Sequence, residues 1–191
     1  MNIPFRGAAG IVSEEAMNLL RQSGAMQTPH SGRHLFDHLL GTCQLLQSWG
    51  NPPSICLGGL FHSIYGTNAF AHRSLTSAHR PLLQAAIGQD AELLAWQFCT
   101  IDRPQAIFAG LRQLHIPHSA SSNVKPEARQ WRALAEIECA NLIEQGAWGH
   151  SLRELFCLGV EQEGSLSATA MTALREGWAV QLAQKKTNTG S

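Results

Sequence analysis

Apolar residues recur at intervals of three and four along most of the chain, which is the spacing that places them on one face of an α-helix. The clearest example runs from about Arg33 to Trp49. Its apolar stripe contains Leu35, Leu39, Cys43 and Leu46. Gly50 follows, and we expect it to end the helix because glycine readily adopts the left-handed conformation found there.

The same periodicity predicts helices on both sides of this segment. Ser13 is a suitable N-cap for a first helix that runs to about Gln22. Later helices are predicted from Asn51-Pro52-Pro53 to about Ile64, and over Arg80–Ile87, Asp90–Cys99, Pro104–Leu114, Pro126–Gln145, His150–Leu158 and Ser167–Gln184. No segment shows strand alternation. We therefore predict an all-α protein with one helical domain over residues 1–184 and a flexible tail over 185–191. The polar segment His115–Lys125 is expected to be a binding loop or a disordered connection.

Composition narrows the classes of function. Charged residues make up 15% of the 191 residues and the formal net charge is zero, which is not the basic footprint of a nucleic-acid-binding protein. No apolar run reaches membrane-spanning length, and the N-terminus has no signal-peptide core, so we expect a cytoplasmic protein that does not bind membranes. The five cysteines form no CxxC pair, which fits reduced thiols. Nine histidines favour a polar site.

Two histidines stand where consecutive helices can bring them together. His38 lies in the helix from about Arg33 to Trp49, and His62 follows 24 residues later, directly after the apolar run Leu57–Phe61. A neutral imidazole is a good ligand for Zn, Fe or Mn and also a good base. The alternative is a pair of hydrogen-bonded core histidines without a chemical role.

A carboxylate and an amide interrupt the apolar face of the predicted helix over Pro126–Gln145. Glu138 and Asn141 share that face with Trp131, Leu134 and Leu142. A buried carboxylate is costly without a partner, so we expect a partner, a metal or a ligand for Glu138. A structural network between helices is the alternative. On the same wheel, Glu136 and Glu144 are expected to face solvent.

Two further polar segments are candidates for ligand contact. Asp102 can cap the helix that begins at Pro104, or it can present its carboxylate to a pocket. His34 and His38 are one helical turn apart, which could make a pair of metal ligands. Arg33 lies in a glycine-containing turn and could bind a phosphate or carboxylate. The alternative is an ordinary Ser-Gly start to the helix.

The order of these motifs over about His30–Gln145 resembles the HD-domain superfamily, and within it the hydrolase domain of the RelA/SpoT alarmone enzymes. Ser31-Gly32 precedes His38 as in that family, and Leu60-Phe61-His62-Ser63 resembles its L-L-H-D motif. The segments Ile87–Leu94 and Ala135–Leu142 resemble two of its later helices. The stretch HSIYGTNAF also resembles small HD-like proteins that carry HS in place of HD.

The resemblance implies an HD-domain-like helical bundle that binds a divalent metal, Mn, Fe or Zn. Carried over residue by residue, His38 and His62 are the metal ligands, and the family's acidic ligands fall on Ser63 and Asn141. The family's Glu-Asp pair falls on Tyr65-Gly66. Because the acidic positions are neutral here, we do not expect efficient alarmone hydrolysis, and the site could also work without a metal.

We therefore favour an enzyme that acts on a small polar or phosphorylated metabolite. The predicted catalytic residues are His38, His62, Ser63, Tyr65, Glu138 and Asn141. The predicted substrate-binding residues are His30, Arg33, Thr67, Asp102 and Arg103. The alternatives are a transition-metal oxygenase and an inactive module that binds a nucleotide-like ligand. The oligomeric state is left open.

Overall fold

The computed structural model describes residues 10–67, 74–113 and 126–188. Within these ranges the chain forms nine α-helices, one 3-10 turn and one two-stranded hairpin. The helices are α1 (Glu14–Gln22), α2 (Leu35–Ser48), α3 (Pro53–Leu60), α4 (Arg80–Ile87), α5 (Gln89–Thr100), α6 (Gln105–Arg112), α7 (Ala128–Glu144), α8 (His150–Glu161) and α9 (Ala168–Asn188). The 3-10 turn is Ser77–His79, and the hairpin pairs β1 (Pro29–His30) with β2 (Arg33–His34). The protein is an all-α helical bundle, as predicted.

Most helix boundaries lie within three residues of those predicted from the sequence. Ser13 caps α1 by accepting a hydrogen bond from the backbone N–H of Ala16 at 3.1 Å. The helix α9 continues to Asn188, so residues 185–188 of the predicted tail are helical. The predicted loop His115–Lys125 lies outside the described residues. No helix in the described ranges is both long and apolar enough to cross a membrane.

The helix α3 lies at the centre of the core because it packs closely against helices on two sides. A Cβ atom at Gly58 would come 3.0 Å from the Cβ of Leu94 on α5. A Cβ atom at Gly59 would overlap the side chain of Leu46 on α2. The absence of two side chains therefore lets α3 approach both neighbours, and this approach fixes where the chain leaves α3 just before His62.

Glu136 is buried, so the expectation that it faces solvent is wrong. Only 4% of the residue is exposed. Its carboxylate accepts hydrogen bonds from the amide of Asn51 at 3.1 Å and from the backbone N–H of Ser167. The helical wheel missed this because α7 also packs against α9, and Ser167, just before α9, binds the Glu136 carboxylate. The carboxylate thereby joins α7 to the residues that precede α3 and α9.

Replacing Glu136 should destabilise the whole bundle. In Glu136→Ala the Ser167 N–H and the Asn51 amide lose a charged acceptor in a buried place, and we expect a loss of about 3 kcal/mol in the free energy of unfolding. Chemical denaturation measures it. The control is Glu161→Ala at the exposed end of α8, which should change stability by less than about 0.5 kcal/mol. Equal effects of the two substitutions would show that the Glu136 contacts contribute nothing.

Candidate functional site

The imidazoles of His38 and His62 meet in the interior. His38 lies in the first turn of α2 and is 0% exposed, and His62 follows the end of α3 and is 2% exposed. Their Nε2 atoms are 3.2 Å apart. The predicted proximity of the two rings is confirmed, and it follows from the close packing of α2 against α3.

The outer nitrogen of each ring is bound to an acceptor. Nδ1 of His62 lies 2.7 Å from the carbonyl oxygen of Gly59, and Nδ1 of His38 contacts the carboxylate of Glu144. A carbonyl or carboxylate can only accept, so these partners place the hydrogen on both Nδ1 atoms. In the neutral rings both Nε2 atoms then carry lone pairs that face each other. One proton between the two atoms converts this repulsion into a hydrogen bond.

The surroundings disfavour more than one proton in this cluster. Burial lowers the pKa of His62 well below its usual value, and the neighbouring His38 lowers it further, against the opposing effect of the Gly59 carbonyl. His30 stacks on His38 with 4.5 Å between ring centroids. Burial also lowers the pKa of His30, and His38 adds to that effect. These surroundings therefore favour the neutral forms of His62 and His30.

Glu144 belongs to this cluster, so the expectation that it faces solvent is wrong. Its side chain is 9% exposed, and besides His38 it binds the guanidinium of Arg33. Arg33 also donates to the backbone carbonyl of Glu144 at 3.2 Å. The β1–β2 hairpin covers the end of α7, and the periodicity of α7 alone does not reveal this. The spacing of Glu144 three residues after Asn141 was a signal that could have placed it on the same side.

The hairpin is held on α7 by a second contact. Ser31 has φ 47° and Gly32 has φ 82°, which together make the tight two-residue turn between β1 and β2. The hydroxyl of Ser31 donates to the side-chain oxygen of Gln145 at 3.1 Å. His30 and Ser31 thereby become part of the wall of a cavity.

This cavity of about 480 Å³ lies beside His62. Its polar lining consists of His30, Ser31, His62, Ser63, Thr67, Arg103, Glu138, Asn141, Gln145 and Ser151. The volume suits a small metabolite. Seven of the predicted site residues line this cavity. His38 does not line it but contacts His62, which does.

One wall of the cavity is a chain of hydrogen bonds from α7 to Arg103. Gln145 donates its amide to the Asn141 side-chain oxygen at 2.7 Å, and Asn141 lies 3.5 Å from the Glu138 carboxylate. Arg103 binds Glu138 at 2.6 Å, and its guanidinium lies 3.9 Å from the centroid of the Phe98 ring. The partner expected for buried Glu138 is therefore Arg103.

Ser63 offers the cavity a polar group that no described side chain or backbone atom binds. The residue is 4% exposed, and its buried hydroxyl has no hydrogen-bond partner among the described residues. A buried hydroxyl without a partner costs free energy. A ligand in the cavity that binds Oγ would recover it.

Tyr65 lies outside the site, contrary to its predicted catalytic role. Its hydroxyl donates to Glu92 at 3.0 Å, and its ring packs edge-on against Trp96. Arg80 and Gln84 also donate to Glu92. Burial alone would raise the pKa of Glu92, but these donors together lower it. This fully bonded cluster joins α4 to α5 and has a structural role.

Three other predicted residues do not line the cavity. Arg33 lies outside the cavity and binds the carboxylate of Glu144. Asp102 is exposed and is not the cap of α6, because the N-cap position is occupied by Pro104. His34 is exposed, and it does not form a ligand pair with buried His38.

The side chains do not fit the divalent-metal site that the resemblance implies. The two imidazoles could supply nitrogen ligands, but Ser63 and Asn141 are neutral and the Asn141 oxygen is already bonded to Gln145. The nearby carboxylates are engaged by arginines. No group of three or more His, Cys, Asp or Glu side chains among the described residues is arranged to hold a metal. The site lacks the anionic ligands that hold a hard divalent cation.

Comparison with protein families finds a match to a domain of unknown function (DUF6817) over residues 19–103. Comparison with curated proteins and with solved structures finds no match. The matched residues include the hairpin, both histidines and Arg103. They end before α7, which carries Glu138, Asn141 and Glu144, so the family model covers one side of the cavity.

Protonation of His62 should make stability depend on pH. The folded state keeps His62 neutral, whereas the unfolded chain protonates it below about pH 6.5. The stability from this residue is therefore complete above about pH 6.5 and falls as the pH drops, by at most about 1.4 kcal/mol per pH unit. Denaturation from pH 8 to pH 5 measures the slope. It should be shallower in His62→Gln and unchanged in the control His150→Gln; an unchanged slope in His62→Gln would contradict the assignment.

Acids placed at positions 63 and 141 should create metal affinity. We expect the wild type to bind Mn(II) weakly, and Ser63→Asp with Asn141→Asp to bind it at least about tenfold more tightly, because two anionic oxygens join the imidazoles. Calorimetric titration with Mn(II) measures the difference. Ser63→Asn alone is the neutral control and should match the wild type. Tight stoichiometric binding by the wild type would show that the donor set has been misjudged.

Proposed function

We propose that the protein is an enzyme that acts on a small polar or phosphorylated metabolite in the cavity beside His62. The observation that carries this proposal is the 3.2 Å approach of the Nε2 atoms of His38 and His62, with both Nδ1 atoms bound to acceptors. In the neutral pair the two lone pairs face each other and can accept one proton, and His62 lines a cavity of a size that suits a metabolite.

In this proposal the pair acts as the general base. A hydroxyl or amine of the substrate binds next to Nε2 of His62. As its X–H bond breaks, the proton forms a bond with Nε2 of His62 and is then shared with Nε2 of His38. Positioned proton transfer of this kind contributes about 10²- to 10⁴-fold to a rate.

The remaining lining favours a polar substrate. The Ser63 hydroxyl can donate to a substrate oxygen, and the amide side chains of Asn141 and Gln145 can both donate and accept. Glu138 already binds one side of the Arg103 guanidinium. A phosphate would therefore bind the remaining N–H groups of Arg103 and leave the Arg103–Glu138 ion pair intact. The all-α fold and the meeting of the two histidines support the further proposal of an HD-domain-like bundle with changed chemistry.

The test begins with binding and proceeds to turnover. Thermal-shift assays use inorganic phosphate, glycerol 3-phosphate and AMP as probes, and phosphorus and proton NMR then follow each stabilising organic probe over time. His62→Gln should lower turnover by at least about 10²-fold because it removes the base. His150→Gln, on the exposed start of α8, should behave as the wild type. Stabilisation without turnover would favour the ligand-binding module, and equal turnover by His62→Gln would contradict the proposal.

A further inference from the structure

We infer that Glu144 is the positioning residue of the histidine pair. Gly41 leaves the space for its carboxylate, and Arg33 holds the carboxylate in place. The catalytic role of Glu144 rests on the proposed function. Its effect on which nitrogen of His38 carries a hydrogen does not depend on that function.

Gly41 leaves the space that the carboxylate occupies. Gly41 follows His38 by three residues and therefore lies on the same side of α2. A Cβ atom at position 41 would overlap Oε1 of Glu144 and would lie 2.9 Å from its carboxyl carbon. Any larger residue would displace the carboxylate from the position in which it binds both Arg33 and His38. The glycine is therefore required for the Glu144 contact, even though α2 would be more stable with alanine.

Arg33 binds Oε1 of the same carboxylate, the oxygen that lies beside Gly41. Glu144 is the last residue of α7, where the helix dipole disfavours a negative charge. The Arg33 guanidinium offsets that cost by binding both the carboxylate and the backbone carbonyl of Glu144. With one oxygen bound by Arg33, the second is directed at Nδ1 of His38.

This contact decides what kind of pair the two histidines form. Without an acceptor at Nδ1, neutral His38 would carry its hydrogen on Nε2 and donate it to the lone pair of His62. That is an ordinary hydrogen bond between two core histidines, which needs no further proton. With Glu144 in place, the hydrogen moves to Nδ1 and the two Nε2 lone pairs face each other. Glu144 therefore converts a structural pair into a pair that accepts one proton.

The titratable and charged groups around the histidine pair are consistent with a positioning role for Glu144. His30 stacks on one face of His38, and Glu144 is the carboxylate bound to its Nδ1. Arg103 acts on His62 from the side of the cavity and lowers its pKa further. Glu144 is thus the charged group that binds His38 directly.

The experiment uses two variants that act on Glu144 by different routes. In Glu144→Gln, Arg33 should bind the amide oxygen, so the amide N–H group faces His38 and donates to Nδ1. In Gly41→Ala, the added methyl group displaces the carboxylate, and the helix itself is not weakened because alanine favours helix formation more than glycine does. Gly149→Ala is the matched control, because a Cβ atom there meets nothing within 4 Å. Circular dichroism and thermal melting establish that each variant folds.

Nitrogen-15 NMR of the imidazoles at pH 8.5 reads the tautomers directly. The wild type and Gly149→Ala should show the hydrogen of His38 on Nδ1, whereas Glu144→Gln and Gly41→Ala should show it on Nε2. His62 should keep its hydrogen on Nδ1 in all four proteins. A wild-type tautomer in folded Glu144→Gln would overturn the inference, and so would an Nε2–H tautomer of His38 in the wild type.

Kinetics separate this inference from the proposed function. On any substrate that the wild type turns over, both variants should lower kcat by about 10- to 100-fold and leave KM within about twofold, because Glu144 does not touch the cavity. If the tautomer changes as expected but His62→Gln turns over as fast as the wild type, the proposed base is wrong and the positioning role of Glu144 still stands.

Discussion

The approach of two buried imidazole nitrogens to 3.2 Å is the interaction on which the site depends. Two like lone pairs cannot be held at that distance unless the fold forces both rings into place or a proton lies between them. The fold does the first through α3, whose glycines let it pack closely against α2 and α5. Glu144 and the Gly59 carbonyl then fix which nitrogen of each ring is free to bind the proton.

Buried carboxylates play the same physical role elsewhere in the molecule. Glu92, Glu136 and Glu138 are each buried, and each accepts hydrogen bonds from groups on another part of the chain. A buried carboxylate with all its donors in place ties elements together and is costly to disturb. Of these three, Glu138 lies at the candidate site, where Glu144, with a side chain that is 9% exposed, binds His38 directly.

The polar side chains at the site do not form the metal-ligand set that the proposed HD-domain resemblance implies. Ser63 and Asn141 are neutral, and the cavity also contains Arg103, whose positive charge opposes a metal cation nearby. The carboxylates that remain are neutralised by arginines and are directed at the histidines or the guanidinium. This set of side chains favours chemistry in which a proton, rather than a metal, is the positive charge at the centre.

The sequence by itself determined the helices, because their apolar periodicity is a local property of each segment. It also indicated that His38 and His62 meet, since consecutive helices pack side by side, and that Glu138 is buried. It did not reveal the contacts of Glu144 with Arg33 and His38, which span more than 100 residues. Periodicity reports which face of a helix is apolar, whereas the burial of a carboxylate depends on a distant donor and on the space left by a residue such as Gly41. Only the tertiary structure decides both.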